Sequence, residues 1–134
     1  ADGRKPEILA KIVKGEKVGT LFVGDNVKVP GRKKWISMRK PKGSVIVDDG
    51  AVKALVSGKK SLLASGIIDV NGRFDMGDIV EILDVKSSGI AKGIVNYKSE
   101  ELAIIKGRKT KEIKEILGSE FYDEVINRDD MVIL

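Results

Sequence analysis

The residues that could do chemistry in this chain are few, and they fall into three groups. Arg32-Lys33-Lys34-Trp35 joins three cations to an aromatic ring, a combination that can hold phosphates and stack a base. Gly58-Lys59-Lys60-Ser61 has the residue types that close a phosphate-binding P-loop, and Arg73 is a further cation a short way on. Asp48-Asp49 offers paired carboxylates of the kind that bind hard cations. The chain has no histidine and no cysteine. That removes serine–histidine and cysteine–histidine nucleophilic machinery, zinc–thiolate sites and disulfides together.

Each group has a plainer reading. A P-loop needs a further upstream glycine, a strand before it and a helix after the Ser; here the stretch follows a helical pattern and Gly66 stops a long continuation, so the motif fails on context. Lys59 and Lys60 then read as a solvated turn. Asp48 or Asp49 suits the N-cap of a helix over 50–57, because its carboxylate can accept from the orphan N–H groups of the first turn. One local pair also supplies too few oxygens for a cation. The run 32–40 reads as a strand whose Trp35 and Met38 pack inward beneath Arg and Lys stems, since a single Trp in a small domain is ordinarily core. No catalytic, cofactor-binding or metal-binding residue emerges. Arg32, Lys33, Lys34, Lys59, Lys60 and Arg73 remain as candidate RNA or phosphate contacts.

Charge distribution weighs against a dedicated nucleic-acid binder. The 134 residues carry a formal charge of +5, yet residues 1–42 hold 12 Lys and Arg against 4 Asp and Glu, and residues 43–134 hold 13 against 16. The basic character belongs to the first third, and the rest is slightly acidic, unlike a basic binding face. With 42% hydrophobic and 34% charged residues the chain can bury a core and stay in water. No apolar run approaches the roughly 20 residues that span a bilayer. The first residues lack the apolar region of a secretion signal, so a cytoplasmic protein with no membrane partner is expected. The chain opens on Ala1 instead of Met, as expected of a piece of a longer protein.

The elements that must position these groups are punctuated by glycine. Pro6 suits a helix start, Ile8, Leu9, Ile12 and Val13 form one apolar stripe, and Gly15 closes it. A buried strand is expected over 18–23, and a linker over 24–31 with Pro30-Gly31 as its turn. One helix and one strand cannot bury their own apolar faces, so they need a partner. From Gly43 to Leu83 the pattern is strand, capped helix, turn, strand, Asn71-Gly72 hairpin turn and strand, with Phe74 as a core anchor. The near-continuous apolar runs predict strands buried on both faces, in a small barrel-like unit crossed by one helix. Lys86 to Gly89 makes another hairpin loop into a strand over 90–97. Helices capped at Ser99 and Thr110 and strands at 125–126 and 131–134 complete the chain.

The order Val47-Asp48-Asp49-Gly50-Ala51, Lys60-Ser61-Leu62-Leu63, Gly66-Ile67, Phe74 and Gly77-Asp78 resembles a PUA domain. With Gly19-Thr20-Leu21-Phe22, Arg32-Lys33-Lys34-Trp35-Ile36, Ile116-Leu117-Gly118 and the tail over 125–132, the whole chain is similar to the C-terminal part of bacterial glutamate 5-kinases (γ-glutamyl kinases). The resemblance implies a mainly β fold with short helices (α+β), a PUA-type pseudo-barrel. It divides the chain into residues 1–23, the last helix and strand of an amino-acid-kinase domain, a linker over 24–31 and a PUA domain over 32–134. It further implies that ATP, Mg and glutamate bind upstream of this chain, and that the parent makes L-glutamate 5-phosphate for proline biosynthesis under feedback by proline. This piece would then be a non-catalytic accessory and regulatory unit without a cofactor of its own. Its partners would be its own kinase domain and other copies in a homo-oligomer. RNA, which PUA domains elsewhere recognise, is the alternative partner and the less favoured one.

Overall fold

The computed structural model describes residues 4, 7–19, 31–118 and 122–134. Of the expected linker over 24–31, residues 24–30 lie outside the described residues, as does the body of the expected strand, 20–23; Gly31 is helical, and Val18 and Gly19 are in no strand. The helix α1, Ile8–Val13, forms where the apolar stripe places it, and Gly15 at φ 76 ends it. None of its residues is buried.

The first correction falls on the basic run. Gly31–Met38 is a helix, α2, and not a strand. Ile36 is its buried residue, while Trp35 and Met38 face outward, 46% and 78% exposed. Helix α2 lies against the far edge of the sheet, and Lys92 Nζ donates to the carbonyls of Ser37 and Arg39 at 3.4 and 3.3 Å. A cation on the last carbonyls of a helix both satisfies orphan acceptors and favours the negative helix end.

The sheet that follows has five strands: β1 (Gly43–Val47), β2 (Ile67–Gly72), β3 (Ile79–Leu83), β4 (Gly89–Ile94) and β5 (Met131–Ile133). Their spatial order is β2-β1-β3-β4-β5. Strands β1 and β3 run parallel, and the other neighbours are antiparallel. A parallel pair needs a long crossover, and here helix α3 (Asp49–Val56) and β2 lie between its two strands in sequence. Helices α4 (Ser99–Ile105) and α5 (Thr110–Leu117) follow β4.

The expected pseudo-barrel is not what forms. The described residues are 37% helix and 23% strand, a balanced α/β content, and the sheet is neither closed nor strongly curled. Edge strand β2 pairs with β1 and edge strand β5 with β4, so the two edges do not meet. A helix packs against each edge strand instead, α4 against β2 and α2 against β5. Closure would need those edges to exchange backbone hydrogen bonds. The segments leading into the two edge strands are joined by a bridge, where Leu62 N–H donates to Ile126 O at 2.9 Å and Val125 N–H to Leu62 O at 2.8 Å.

Two further expectations change. Asn71-Gly72 is not a hairpin turn; it pairs in register with Ser44 and Gly43 at the end of β2. Gly72, at φ +85, then turns the chain out of the strand. A Cβ on Gly43 would lie 2.6 Å from both Asn71 O and Phe74 Cδ1, so a glycine there lets Phe74 reach the core. The strands are also not buried on both faces throughout. Alternate residues Val45 and Val47 of β1 are fully buried, whereas β2 buries only Ile67. The core joins those valines to Leu55 of α3, Val80 and Ile82 of β3, and Leu102 and Ile105 of α4. Each such side chain contributes about 1.5–3 kcal/mol on burial.

Candidate binding cleft

Helix α3 is capped by Asp48, whose carboxylate accepts from Ala51 N–H at 2.7 Å. The predicted cap is therefore real, and it occupies the carboxylate that a cation site would need. Among the described residues no group of three or more His, Cys, Asp or Glu could hold a metal ion. At its other end α3 stops against Gly58, where a Cβ would meet Ala54 O at 2.8 Å. The chain then reverses through Lys59, at the left-handed φ of 48, and Lys60 N–H returns to Ala54 O at 3.0 Å.

This reversal lays the 58–63 loop beside the C-terminal tail. Besides the Leu62–Ile126 bridge, Arg128 N–H donates to Ser61 Oγ at 2.9 Å. Between α3, the loop and the tail lies a cleft of about 780 Å³. Lys59, Lys60 and Arg128 line it together with the apolar Ala51, Ala54 and Leu55. Two carboxylates also line it, Asp48 and Glu124. Glu124 accepts from Asn127 Nδ2 at 2.6 Å, so both carboxylates are held by neutral N–H donors.

The six cations singled out in the sequence divide among three places. Lys59 and Lys60 line this cleft. Arg32, Lys33 and Lys34 sit on α2, where Arg32 pairs with Asp130 at 2.7 Å. Arg73 lines a smaller cleft of about 350 Å³ with Lys42 and Asp78. In that cleft the Asp75 N–H, donating at 2.8 Å, is the main cause that holds the Asp78 carboxyl below its usual range, and Lys42 at 3.1 Å adds to it. One face of Trp35 is taken by the Arg39 guanidinium, 4.8 Å from its ring centroid. Arg128 is the cleft residue that sequence reasoning missed. Nothing local marks it, since its neighbour Ser61 lies 67 positions away in the chain.

Residues 43–117 match the PUA domain family, and the chain belongs to that family. Beyond the domain itself, the chain is similar along its whole length to curated glutamate 5-kinases. It is 45% identical over 135 residues to the enzyme of Thermoanaerobacter sp. (strain X514), covering 100% of this chain and 36% of that one. The Caldanaerobacter subterraneus enzyme is 47% identical over the same span and shares. The chain thus spans about a third of the length of these relatives. Among solved structures, a PUA domain from Aeropyrum pernix K1 shows 29% identity and a TM-score of 0.45, covering 66% of this chain and 45% of that one.

Proposed function

We propose that this chain is the C-terminal, PUA-bearing part of a glutamate 5-kinase, and that it acts as an accessory unit on a catalytic domain outside it. The observation that carries the reading is the similarity of 45–47% over the full chain to enzymes of which it spans only 36%. On this reading Mg-ATP and L-glutamate bind to the remaining part of the parent, and this part adjusts assembly and feedback by proline. The parent would be a cytoplasmic homo-oligomer.

The domain division proposed from the sequence fits the same scheme. Helix α1 buries none of its residues, as a fragment of the kinase domain separated from its neighbours would. Helix α2 packs against β5 and β4 and belongs with the PUA unit, which supports a PUA boundary near residue 32. RNA binding is the less favoured reading. The six candidate cations are divided among three places, and the residues from 43 onward hold 13 cations against 16 anions. Nucleic-acid affinity rises with the number of phosphates neutralised together, so a divided set is weak. The test is to supply the purified chain with L-glutamate and Mg-ATP. No acyl phosphate should form, and measurable turnover would overturn the assignment of catalysis to the missing part.

A further inference from the structure

We infer that the outward face of α2, built from Lys34, Trp35 and Met38, docks on the part of the parent that precedes this chain, at a patch offering an apolar pocket within an acidic surface. The inference rests on the reading of the chain as one part of a longer enzyme, and it adds the surface through which the two parts touch. Its first support is the build of the helix. Ile36 seats α2 against the sheet, whereas Trp35 and Met38, three positions apart and so neighbours on one face, stay exposed. Tryptophan, methionine and arginine are enriched where proteins meet, and Trp and Arg anchors carry much of the binding energy there. The second support is charge. Residues 32–40 hold five cations and no anion, which equals the net +5 of the whole chain; elsewhere 20 Lys and Arg meet 20 Asp and Glu. Arg32 is paired with Asp130, but Lys33, Lys34, Arg39 and Lys40 have no carboxylate partner among the described residues. Unpaired cations around an apolar centre are complemented by anions on the rim of a partner.

The third support is the tether, and it decides the occupant. The chain spans 36% of the relatives it matches, so about two-thirds of the parent's length lies outside it. Helix α2 is the first element after the proposed linker, and the eight peptide steps from residue 23 to Gly31 reach at most about 29 Å. A short linker holds the parts it joins at an effective concentration on the order of millimolar. At that concentration a contact with a Kd of about 0.1 mM is closed about ten times as often as it is open. Neither a second copy of this chain nor an RNA strand has that advantage. An RNA strand would also draw on stacking, and Arg39 already holds one face of Trp35.

Amide hydrogen exchange read by mass spectrometry, on this chain and on the full-length parent, tests the docking. Peptides over 32–40 should exchange about tenfold more slowly in the parent, the ratio set by the closed fraction, while β1 and β3 exchange alike in both. In the parent, the double variant Lys34→Glu/Met38→Asp should return 32–40 to the rate of the separate chain, with unchanged exchange in β1 and β3 verifying the fold. Met38→Leu should keep the protection. Equal exchange of 32–40 in chain and parent would overturn the docking, whereas the assignment to the enzyme stands or falls separately on the turnover assay. Protection that survives the double variant would overturn it too. So would protection that arises in this chain alone as its concentration rises, making a second copy the occupant, or only when single-stranded RNA is added.

Discussion

Helices α1 and α4 are nearly the same length, and although α1 is the more apolar of the two, they meet opposite fates. Helix α1 is Ile-Leu-Ala-Lys-Ile-Val, and it leaves Leu9 75% and Val13 88% exposed. Helix α4 is Ser-Glu-Glu-Leu-Ala-Ile-Ile, and it buries Leu102 and Ile105 completely. The ends differ as much as the faces. Glu101 accepts the Lys98 N–H at 3.1 Å before α4, and after it Gly107 N–H donates to Ala64 O at 2.8 Å. Residue Glu7, before α1, is at φ 64 with no side-chain cap. Apolar spacing specifies that a helix has a buried face but does not name the partner, and a helix this short is marginal without one. For α4 the partner is the sheet of the same unit. For α1 no burying partner is found among the described residues.

The largest effect that would break this contrast is in the core. Leu102→Ala should cost about 2–5 kcal/mol in chemical denaturation, because a full side chain leaves a packed site. Leu9→Ala should stay within about 0.5 kcal/mol, as for a surface position. Equal costs would mean that α1 packs within this chain. A smaller effect sharpens the picture at the start of α4. Tyr97, just before it, donates its hydroxyl to Tyr122 O and accepts the Tyr122 N–H at 2.6 Å, with the rings edge-to-face at 5.8 Å. Tyr97→Phe keeps the ring and loses both bonds, so it should cost about 1–2 kcal/mol and free the tail near 122.

The smallest effect is electrostatic. Asp69 on β2 accepts its own neighbour's Val70 N–H at 2.8 Å and pairs with Lys106 at the end of α4 at 3.3 Å. The Val70 N–H foremost, then Lys106, holds its carboxyl below the ordinary value of 3.8. A carboxyl lowered on folding contributes stability that is fully present above its unfolded value and is lost as pH falls through the folded one. Denaturation midpoints should therefore fall slightly below about pH 4, and Asp69→Asn should reduce that slope. An unchanged slope would detach the ion pair from the docking of α4.

Much of the central unit was legible because its signals are local. The Asp48 cap, the Phe74 anchor, the Gly77-Asp78 turn and the Lys86–Gly89 loop between β3 and β4 each depend on a few adjacent residues. The misreadings depend on distant ones. Gly31–Met38 is a helix because Ile36 finds a buried seat and Lys92, more than fifty positions later, meets its last carbonyls. Asn71-Gly72 is drawn into register by Gly43 instead of turning on itself. The barrel expectation failed for the same reason, since edge pairing is decided between segments far apart in sequence. In the cleft, Lys59 and Lys60 could be picked out, but their place beside Arg128 depends on the Leu62–Ile126 bridge.

The most direct test of the accessory role is a comparison of the full-length parent with a form lacking residues 32–134, followed by ATP-dependent phosphorylation of L-glutamate across a proline titration. The account predicts that the shortened enzyme still turns over and that its proline response or assembly changes. Loss of all turnover in a folded enzyme would place catalytic groups in this chain, and unchanged kinetics, proline response and assembly would remove its regulatory role.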